Sequence, residues 1–342
     1  MKKIALLGAG AWGTVISKML AENGHSVNLW SYEEEVAVSI NENRINHKFL
    51  PEVLLPPGIT AFSSLDQVVQ DAEAVVNVVI AKGLRDVLEK LPASTFDLPW
   101  LSATKGLEPE TGQRISEIIL NSQRAEQSKL AILSGPNLAS EIARKSPASA
   151  VIGSESKSTA IYFQELLMRP YFRLYSSADP LGVELGGALK NIIALAAGIC
   201  DGLKIGDNGK AALISRGLAE IVRLAQALGA EKETLFGLSG LGDLVATCAS
   251  PLSRNRWCGE ELGKGRKIDE IIASTNSVVE GVRTTQAVVE LAQKYDLDMP
   301  ITQAVYDIVF MDQDPAAQVE TLMNRMAKAE NASLSESRWK HF

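Results

Sequence analysis

The sequence predicts an α/β fold in which an N-terminal, doubly wound, mainly parallel sheet is followed by an all-helical C-terminal domain. Three observations carry this. A strand, a GxGxxG turn, a helix and a second strand fall within about thirty residues of the start. Strand and helix patterns then alternate as far as residue 177, and after Ala178 only helical patterns remain. Repeated βα units put helices on both faces of a parallel sheet. The division is therefore expected at 1–178 and 179–342.

Residues 2–8 (KKIALLG) form a buried strand that runs directly into Gly8-Ala9-Gly10-Ala11-Trp12-Gly13 and a helix closed by Gly24. The apolar opening is short and broken by glycines, so it is taken as this strand and not as a leader peptide. In this context Gly8 makes the tight turn, Gly10 lets backbone approach a pyrophosphate, and Gly13 lets the helix pack on the sheet. The helix N-terminus offers free N–H groups and partial positive charge to phosphates. The first domain is thus expected to be a Rossmann-type dinucleotide-binding unit. The second strand, SVNLW, ends at Trp30 and is followed by Ser31, Tyr32 and Glu33-Glu34-Glu35. A residue here meets the adenosine ribose, an acid suiting NAD and an arginine NADP. Glu33 has the spacing for that role, but Ser31 ahead of three acids is also a helix start, which is the favoured reading. No arginine stands here to hold a 2′-phosphate.

Further strands are expected at 74–80 (AVVNVVI, taken as wholly apolar), 99–104, 130–135, 147–154 and 172–177, with a helix over 83–91 and another opened by Pro136-Asn137-Leu138-Ala139. Ligands of doubly wound sheets bind at the carboxyl ends of the strands, which makes Lys105, Gly135 and Asn137 site candidates. Lys105 alone is equally well explained as a solvated loop lysine. Helices are expected over 181–200, 209–228, 231–236, 243–249, 254–262, 267–273, 284–295, 300–311 and 315–327, with a polar tail from Ser333. The first of these starts at Asp179-Pro180, an N-cap followed by a proline in the first turn. It is apolar almost all round, hence central to its domain, yet carries Lys190 and Asn191. Gly186, Gly187 and Ala194 share the face of Lys190, a bare strip expected to leave room for a ligand.

The 342 residues, 46% apolar and 22% charged with net charge −7, describe an ordinary globular chain and argue against a nucleic-acid surface. Cys200, Cys248 and Cys258 form no CxxC pair, which suits a reducing compartment and neither a disulfide framework nor a metal site. No run approaches the ~18 apolar residues of a membrane span. A cytoplasmic enzyme without a metal is expected.

Of the histidines, His25 and His47 lie in early loops and His341 next to the last residue, so none is placed as a catalytic base in the helical domain. Carbonyl reduction still needs a proton donor beside the hydride acceptor. Lys190 is the best-placed group, since burial brings a lysine towards the working pH; the plain alternative is a structural lysine on helix-end carbonyls. Asp243, after the glycines of 237–242, serves either as an N-cap or to orient that lysine. Ser253, Arg254 and Asn255 put a hydroxyl, a guanidinium and an amide at a helix N-terminus, a set suited to a phosphate dianion, although solvated arginines are common. Glu280, in NSVVEGVRT, is a candidate ribose or amide contact.

These motifs together resemble, nearly end to end, the bacterial-type NAD(P)-dependent glycerol-3-phosphate dehydrogenases. The resemblance rests on GAGAWGT at 8–14, KGLE at 105–108, GPNLA at 135–139, LKNIIALAAGICDGL at 189–203, GLGDLVATC at 240–248, SRNR at 253–256 and VVEGVRT at 278–284. It implies interconversion of dihydroxyacetone phosphate and sn-glycerol 3-phosphate with NADPH or NADH, at the entry to glycerophospholipid synthesis. It further implies that Lys190 is the acid/base, that Lys105, Gly135, Asn137, Lys190, Asp243, Ser253, Arg254 and Asn255 hold the phosphorylated triose, and that Gly8, Gly10, Ala11, Trp12, Gly13, Tyr32, Lys105, Ala139, Arg254, Val278 and Glu280 hold the cofactor. Three positions depart from the family pattern: Asn137 where Ser or Thr is common, Tyr32 where Arg or His is usual, and Ile80-Ala81 where a Pro-Ser turn is common. The resemblance allows a homodimer. The rival readings are a lysine-using 3-hydroxyacid dehydrogenase of the same architecture and a non-catalytic NAD(H) sensor.

Overall fold

The structure is a computed structural model that describes residues 1–108, 111–122, 125–275, 278–327 and 330. The tail from Ser333, with His341, and Asn276 of the NSVVEGVRT stretch lie outside the described residues.

The strands are β1 (Lys3–Leu7), β2 (Ser26–Trp30), β3 (Ile45–Asn46), β4 (Leu50–Leu54), β5 (Ile59–Phe62), β6 (Ala74–Asn77), β7 (Trp100–Ser102), β8 (Leu130–Ser134), β9 (Ala148–Gly153) and β10 (Phe172–Ser177). Eight of them form one sheet in the order β10-β9-β8-β7-β6-β1-β2-β5. The chain moves outward from β1 through β2 to β5, then returns to the other side of β1 and moves outward again through β6 and β7. The order therefore reverses between β1 and β6, where open α/β sheets form their ligand crevice. Within this sheet every pairing is parallel except β8 with β9, so β9 and β10 run against the rest. β3, β4 and β5 were not anticipated: Pro51 and the Pro56-Pro57-Gly58 run carry turn signals that mask short strands. β3 and β4 pair only with each other. The run at 74–80 is a strand only to Asn77, after which Ala81–Gly83 form a single 3₁₀ turn.

Helices α1 (Ala11–Glu22), α2 (Glu34–Asn43), α3 (Leu65–Val69), α4 (Leu84–Glu89), α5 (Ile115–Asn121), α6 (Ala139–Ala143) and α7 (Lys157–Leu167) accompany the sheet. After β10 the described chain is helical: α8 (Pro180–Gly202), α9 (Asp207–Ala227), α10 (Lys232–Leu235), α11 (Asp243–Ala249), α12 (Arg254–Gly263), α13 (Ile268–Ala273), α14 (Glu280–Lys294), α15 (Pro300–Phe310) and α16 (Pro315–Met323). Asp179 caps α8, its Oδ1 accepting the Gly182 N–H at 2.8 Å, with Pro180 in the first turn.

Every residue of α8 from Gly182 to Cys200 is buried. By length and apolar composition this helix could cross a membrane, contrary to the sequence expectation, but its apolar window lies wholly inside the protein. It packs against α9, α11, α12, α14 and the sheet strands β8 and β9. The crossing with α12 is a backbone contact. A Cβ added at Gly198 would overlap the Arg256 carbonyl oxygen, and one at Gly259 would overlap the Leu195 carbonyl oxygen. This close approach brings the first turn of α12, with Arg254 and Asn255, alongside the helix that bears Lys190.

Candidate active site

The C-terminal end of β1 passes into the glycine turn as the spacing predicts. Gly8 has φ +113°, its N–H donates to the Trp30 carbonyl at 3.1 Å, and a Cβ there would stand 2.9 Å from the Val78 carbonyl oxygen. A Cβ on Gly13 would overlap the Gly8 carbonyl, whereas nothing lies within 4 Å of the corresponding point at Gly10. The turn is thus closed where strand and helix meet and open at the glycine that would face a pyrophosphate. Ala11 and Trp12 begin α1, Ala139 begins α6, and the indole Nε1 of Trp12 and both amide atoms of Asn137 are buried without hydrogen-bond partners. Buried polar atoms are nearly always satisfied. Orphans in this crevice fit a polar ligand, and the residues present suit a dinucleotide.

Behind the turn is a polar clamp that sequence reading passed over. Asn77, inside the run taken as wholly apolar, is fully buried. Its Nδ2 donates to Thr104 Oγ1 at 3.0 Å, its Oδ1 accepts the Val79 N–H at 3.2 Å, and Thr104 Oγ1 donates to the Val79 carbonyl at 2.7 Å. The clamp fixes the residues against which Gly8 packs and ends one position before Lys105.

Lys105 extends from beyond β7 and donates to the Gly135 carbonyl at 2.9 Å and to Asp243 Oδ2 at 2.6 Å. Lys190, 6% exposed on α8, donates to Asp243 Oδ1 at 2.6 Å and to Thr247 Oγ1 at 2.5 Å. Thr247 in turn donates to the Asp243 main-chain carbonyl at 2.6 Å. One buried carboxylate therefore joins two ammonium groups from the two halves of the chain. Asp243 is the first residue of α11, with Gly242 as the cap residue, so of the two roles open to it the lysine contact is the one observed. Lys190 bonds no helix-end carbonyl among the described residues. Each lysine has three donor hydrogens and two acceptors among the described residues, which leaves one N–H on each for a ligand. Burial pushes the Lys105 ammonium down to about 8, the Lys190 charge adding to the effect and Asp243 opposing it.

The bare strip beside Lys190 is not open space. A Cβ at Gly186 would stand 2.6 Å from the Ser239 carbonyl oxygen, and one at Gly187 would meet the Ser134 hydroxyl. The glycines let the 238–242 turn and the end of β8 pack directly on α8, which brings Asp243 and Lys105 within reach of Lys190.

A second relay begins one residue further along α8. Asn191 Nδ2 donates to Glu280 Oε2 at 3.2 Å, Asn255 Nδ2 donates to Asn191 Oδ1 at 2.9 Å, and the Gly281 N–H donates to Asn255 Oδ1 at 2.9 Å. Asn255 is thus a buried brace between α8, α12 and α14 with one amide hydrogen left. Ser253 caps α12, its Oγ accepting the Arg256 N–H at 3.2 Å, and Arg254 beside it is exposed. Ser253 and Arg254, with Thr275 and Val279, line a cavity of about 250 Å³; Val278, the chain neighbour of Val279, is half-buried. Tyr32 stands apart from the lysines, 86% exposed and edge-to-face with Trp30 at 6.3 Å. The helix expected to start at Ser31 is α2, but its cap residue is Glu33 and not Ser31, with Glu34 and Glu35 in its first turn. Among the described residues no group of three His, Cys, Asp or Glu side chains could hold a metal.

Sequence reasoning did not single out Thr247 or Asn191 as site residues. Thr247 stands four positions after Asp243, one helical turn on, which was the available signal. Asn191 had none beyond its adjacency to Lys190.

Comparison with known proteins covers nearly all of the chain. Residues 3–160 match the family described as NAD-dependent glycerol-3-phosphate dehydrogenase N-terminus, and residues 179–320 the corresponding C-terminus. The glycerol-3-phosphate dehydrogenase (NAD(P)+) of Bacillus mycoides (strain KBAB4) is 46% identical over 332 residues, covering 96% of this chain and 98% of that one. The enzyme of the same name from Geobacillus kaustophilus (strain HTA426) is 46% identical over 337 residues, covering 98% of each. The crystal structure of glycerol-3-phosphate dehydrogenase from Coxiella burnetii superposes with a TM-score of 0.89 at 36% identity, covering 95% of this chain and 99% of that one.

Proposed function

The chain belongs to the NAD-dependent glycerol-3-phosphate dehydrogenase family, and from that premise we propose how its residues reduce dihydroxyacetone phosphate to sn-glycerol 3-phosphate. NAD(P)H, when bound, supplies the hydride. Lys190 gives the proton to the substrate oxygen at C2 and takes it back in reverse. Asp243 holds the ammonium in place and Thr247 fixes its direction. The single observation that supports this most is the pairing of Lys190 and Lys105 with opposite oxygens of Asp243. Two positive charges against one carboxylate leave a net positive site, suited to an oxygen that becomes negative as hydride arrives.

Arg254, Ser253 and the remaining amide hydrogen of Asn255 hold the phosphate at the start of α12, where helix N–H groups add to the attraction. Lys105, Gly135 and Asn137 hold the other end of the substrate. Gly8, Gly10, Ala11, Trp12, Gly13, Tyr32, Lys105, Ala139, Arg254, Val278 and Glu280 line the dinucleotide. Residues 1–178 carry most of the cofactor contacts and 179–342 the proton donor and phosphate clamp; the end of β10 at Ser177 and the start of α8 at Pro180 support that division. Phospholipid precursor supply is the corresponding role. A cytoplasmic setting is supported by three cysteines that are all buried and free.

The test is oxidation of NADH and of NADPH, assayed separately, with dihydroxyacetone phosphate and with a phosphate-free hydroxyketone. Turnover confined to the phosphorylated ketone is expected. Comparable turnover of a 3-oxoacid would instead favour the 3-hydroxyacid reading.

A further inference from the structure

Three segments meet at the end of β2, where the adenosine part of a dinucleotide lies in this fold. The Gly8 N–H donates to the Trp30 carbonyl. From the side, Asn46, fully buried, donates its Nδ2 to the Ala9 carbonyl and to Thr14 Oγ1, each at 2.8 Å, and its Oδ1 accepts the Phe49 N–H at 3.1 Å. Residues 46–49 are therefore pinned to the glycine turn itself. Two positions past Asn46, Lys48 Nζ lies 2.8 Å from Glu33 Oε1 and 3.8 Å from Glu35 Oε1. Lys48 thus supplies a cation at a place where the local sequence after β2 shows none.

The other Glu33 oxygen, Oε2, is buried and has no hydrogen-bond partner. Leaving a buried carboxylate oxygen without a donor is costly. A ribose 2′-hydroxyl is such a donor; a 2′-phosphate is not, and it would be repelled by Glu33 while attracting Lys48. Among the described residues Tyr32, next to Glu33, makes an edge contact with Trp30 and no hydrogen bond that would settle the choice.

We propose that the Glu33–Lys48 pair sets the preference between the two dinucleotides, Glu33 accepting the 2′-hydroxyl of NAD(H) and Lys48 holding the 2′-phosphate of NADP(H). Each residue limits the other: while Lys48 is paired it neutralises Glu33, and a 2′-phosphate must draw Lys48 away from that carboxylate. On this arrangement each dinucleotide finds one favourable partner and one that opposes it. The proposal rests on the dinucleotide reading above and adds the residues that discriminate.

The experiment titrates NADH and NADPH separately into the full-length chain, following tryptophan quenching and transfer to the reduced nicotinamide. Lys48→Ala should weaken NADPH about tenfold, the scale of one charge-assisted hydrogen bond, with NADH changed less than about twofold. Glu33→Gln should act in the opposite sense, tightening NADPH and weakening NADH. The NADPH advantage lost in Lys48→Ala should also shrink in the unmodified chain as salt is raised. Equal weakening of both cofactors by Lys48→Ala, or an unchanged ratio in both variants, overturns the proposal and leaves a surface ion pair. If the unmodified chain bound neither dinucleotide, the cofactor reading itself would fall first.

Discussion

Lys105 and Lys190, 85 positions apart in the chain, are held to opposite oxygens of one buried carboxylate, each at 2.6 Å. Lys105 comes from a loop after a sheet strand and Lys190 from the central helix, so the Asp243 carboxylate ties the sheet portion of the chain to the helical portion at the proposed active site. Several consequences can be measured.

Removing the carboxylate leaves two buried ammonium groups facing each other. Asp243→Asn should therefore cost about 3–5 kcal/mol of stability, the usual penalty for breaking a buried ion pair from one side. It should also push the Lys105 ammonium below its present value of about 8, because the attraction that opposes burial is gone. Urea unfolding and a pH profile of kcat/KM measure the two effects; an unchanged midpoint would show that the carboxylate is not the common anchor.

Lys105 titrates near 8 in the folded chain against 10.5 when exposed. Between those values the unfolded chain keeps a proton that the folded chain has released. The Lys105 contribution to stability therefore rises with pH across about 8 to 10.5, and the cost of burying its charge is in full force below about 8. With Lys105 in its proposed role at the substrate, affinity should have the opposite dependence, since an uncharged Lys105 no longer attracts an anion. The expected result is a fall in kcat/KM as pH rises through about 8, flattened in Lys105→Arg, whose charge persists.

The α8–α12 crossing has no room for a methyl group. Gly259→Ala sets a Cβ against the Leu195 carbonyl and should destabilise by about 1–3 kcal/mol, as over-packing does. Because α12 would shift on α8, KM for the phosphorylated substrate should rise as well. Thermal unfolding with parallel kinetics tests this, and wild-type values in both would show a looser crossing.

Arg254 is exposed and its removal should leave the fold intact. Arg254→Ala is expected to raise KM for phosphorylated substrates by about tenfold or more, the weight of a charge-assisted contact. Equal weakening of a phosphate-free ketone would contradict a phosphate role.

Much of this site was legible in the sequence because its parts lie next to strong local signals. The glycine turn declares itself through the strand before it and the helix after it, and Lys190 stands out as a cation in a helix that is apolar almost all round. What escaped was the purpose of the glycines around that lysine. Gly186 and Gly187 suggested a space for ligand, but the turn at 238–242 and Ser134 fill it; sequence shows a missing side chain, not what takes its place. Asn77 was hidden in an apolar run because its partners, Thr104 and Val79, lie beyond the ends of β7 and β6. β4 and β5 were hidden by prolines and a glycine beside them. The link from Lys48 to Glu33 joins segments 15 positions apart and depends on Asn46 anchoring the intervening loop, a tertiary fact with no local trace.

The central claim is that Lys190 moves the proton. Single-turnover and steady-state reduction of dihydroxyacetone phosphate by Lys190→Ala, with substrate and cofactor saturating, tests it most directly. The account predicts a fall in kcat of about 10²–10⁴, the usual scale for loss of an acid/base group, with substrate binding changed far less. An undiminished kcat with only KM raised would make Lys190 a binding residue and contradict the account.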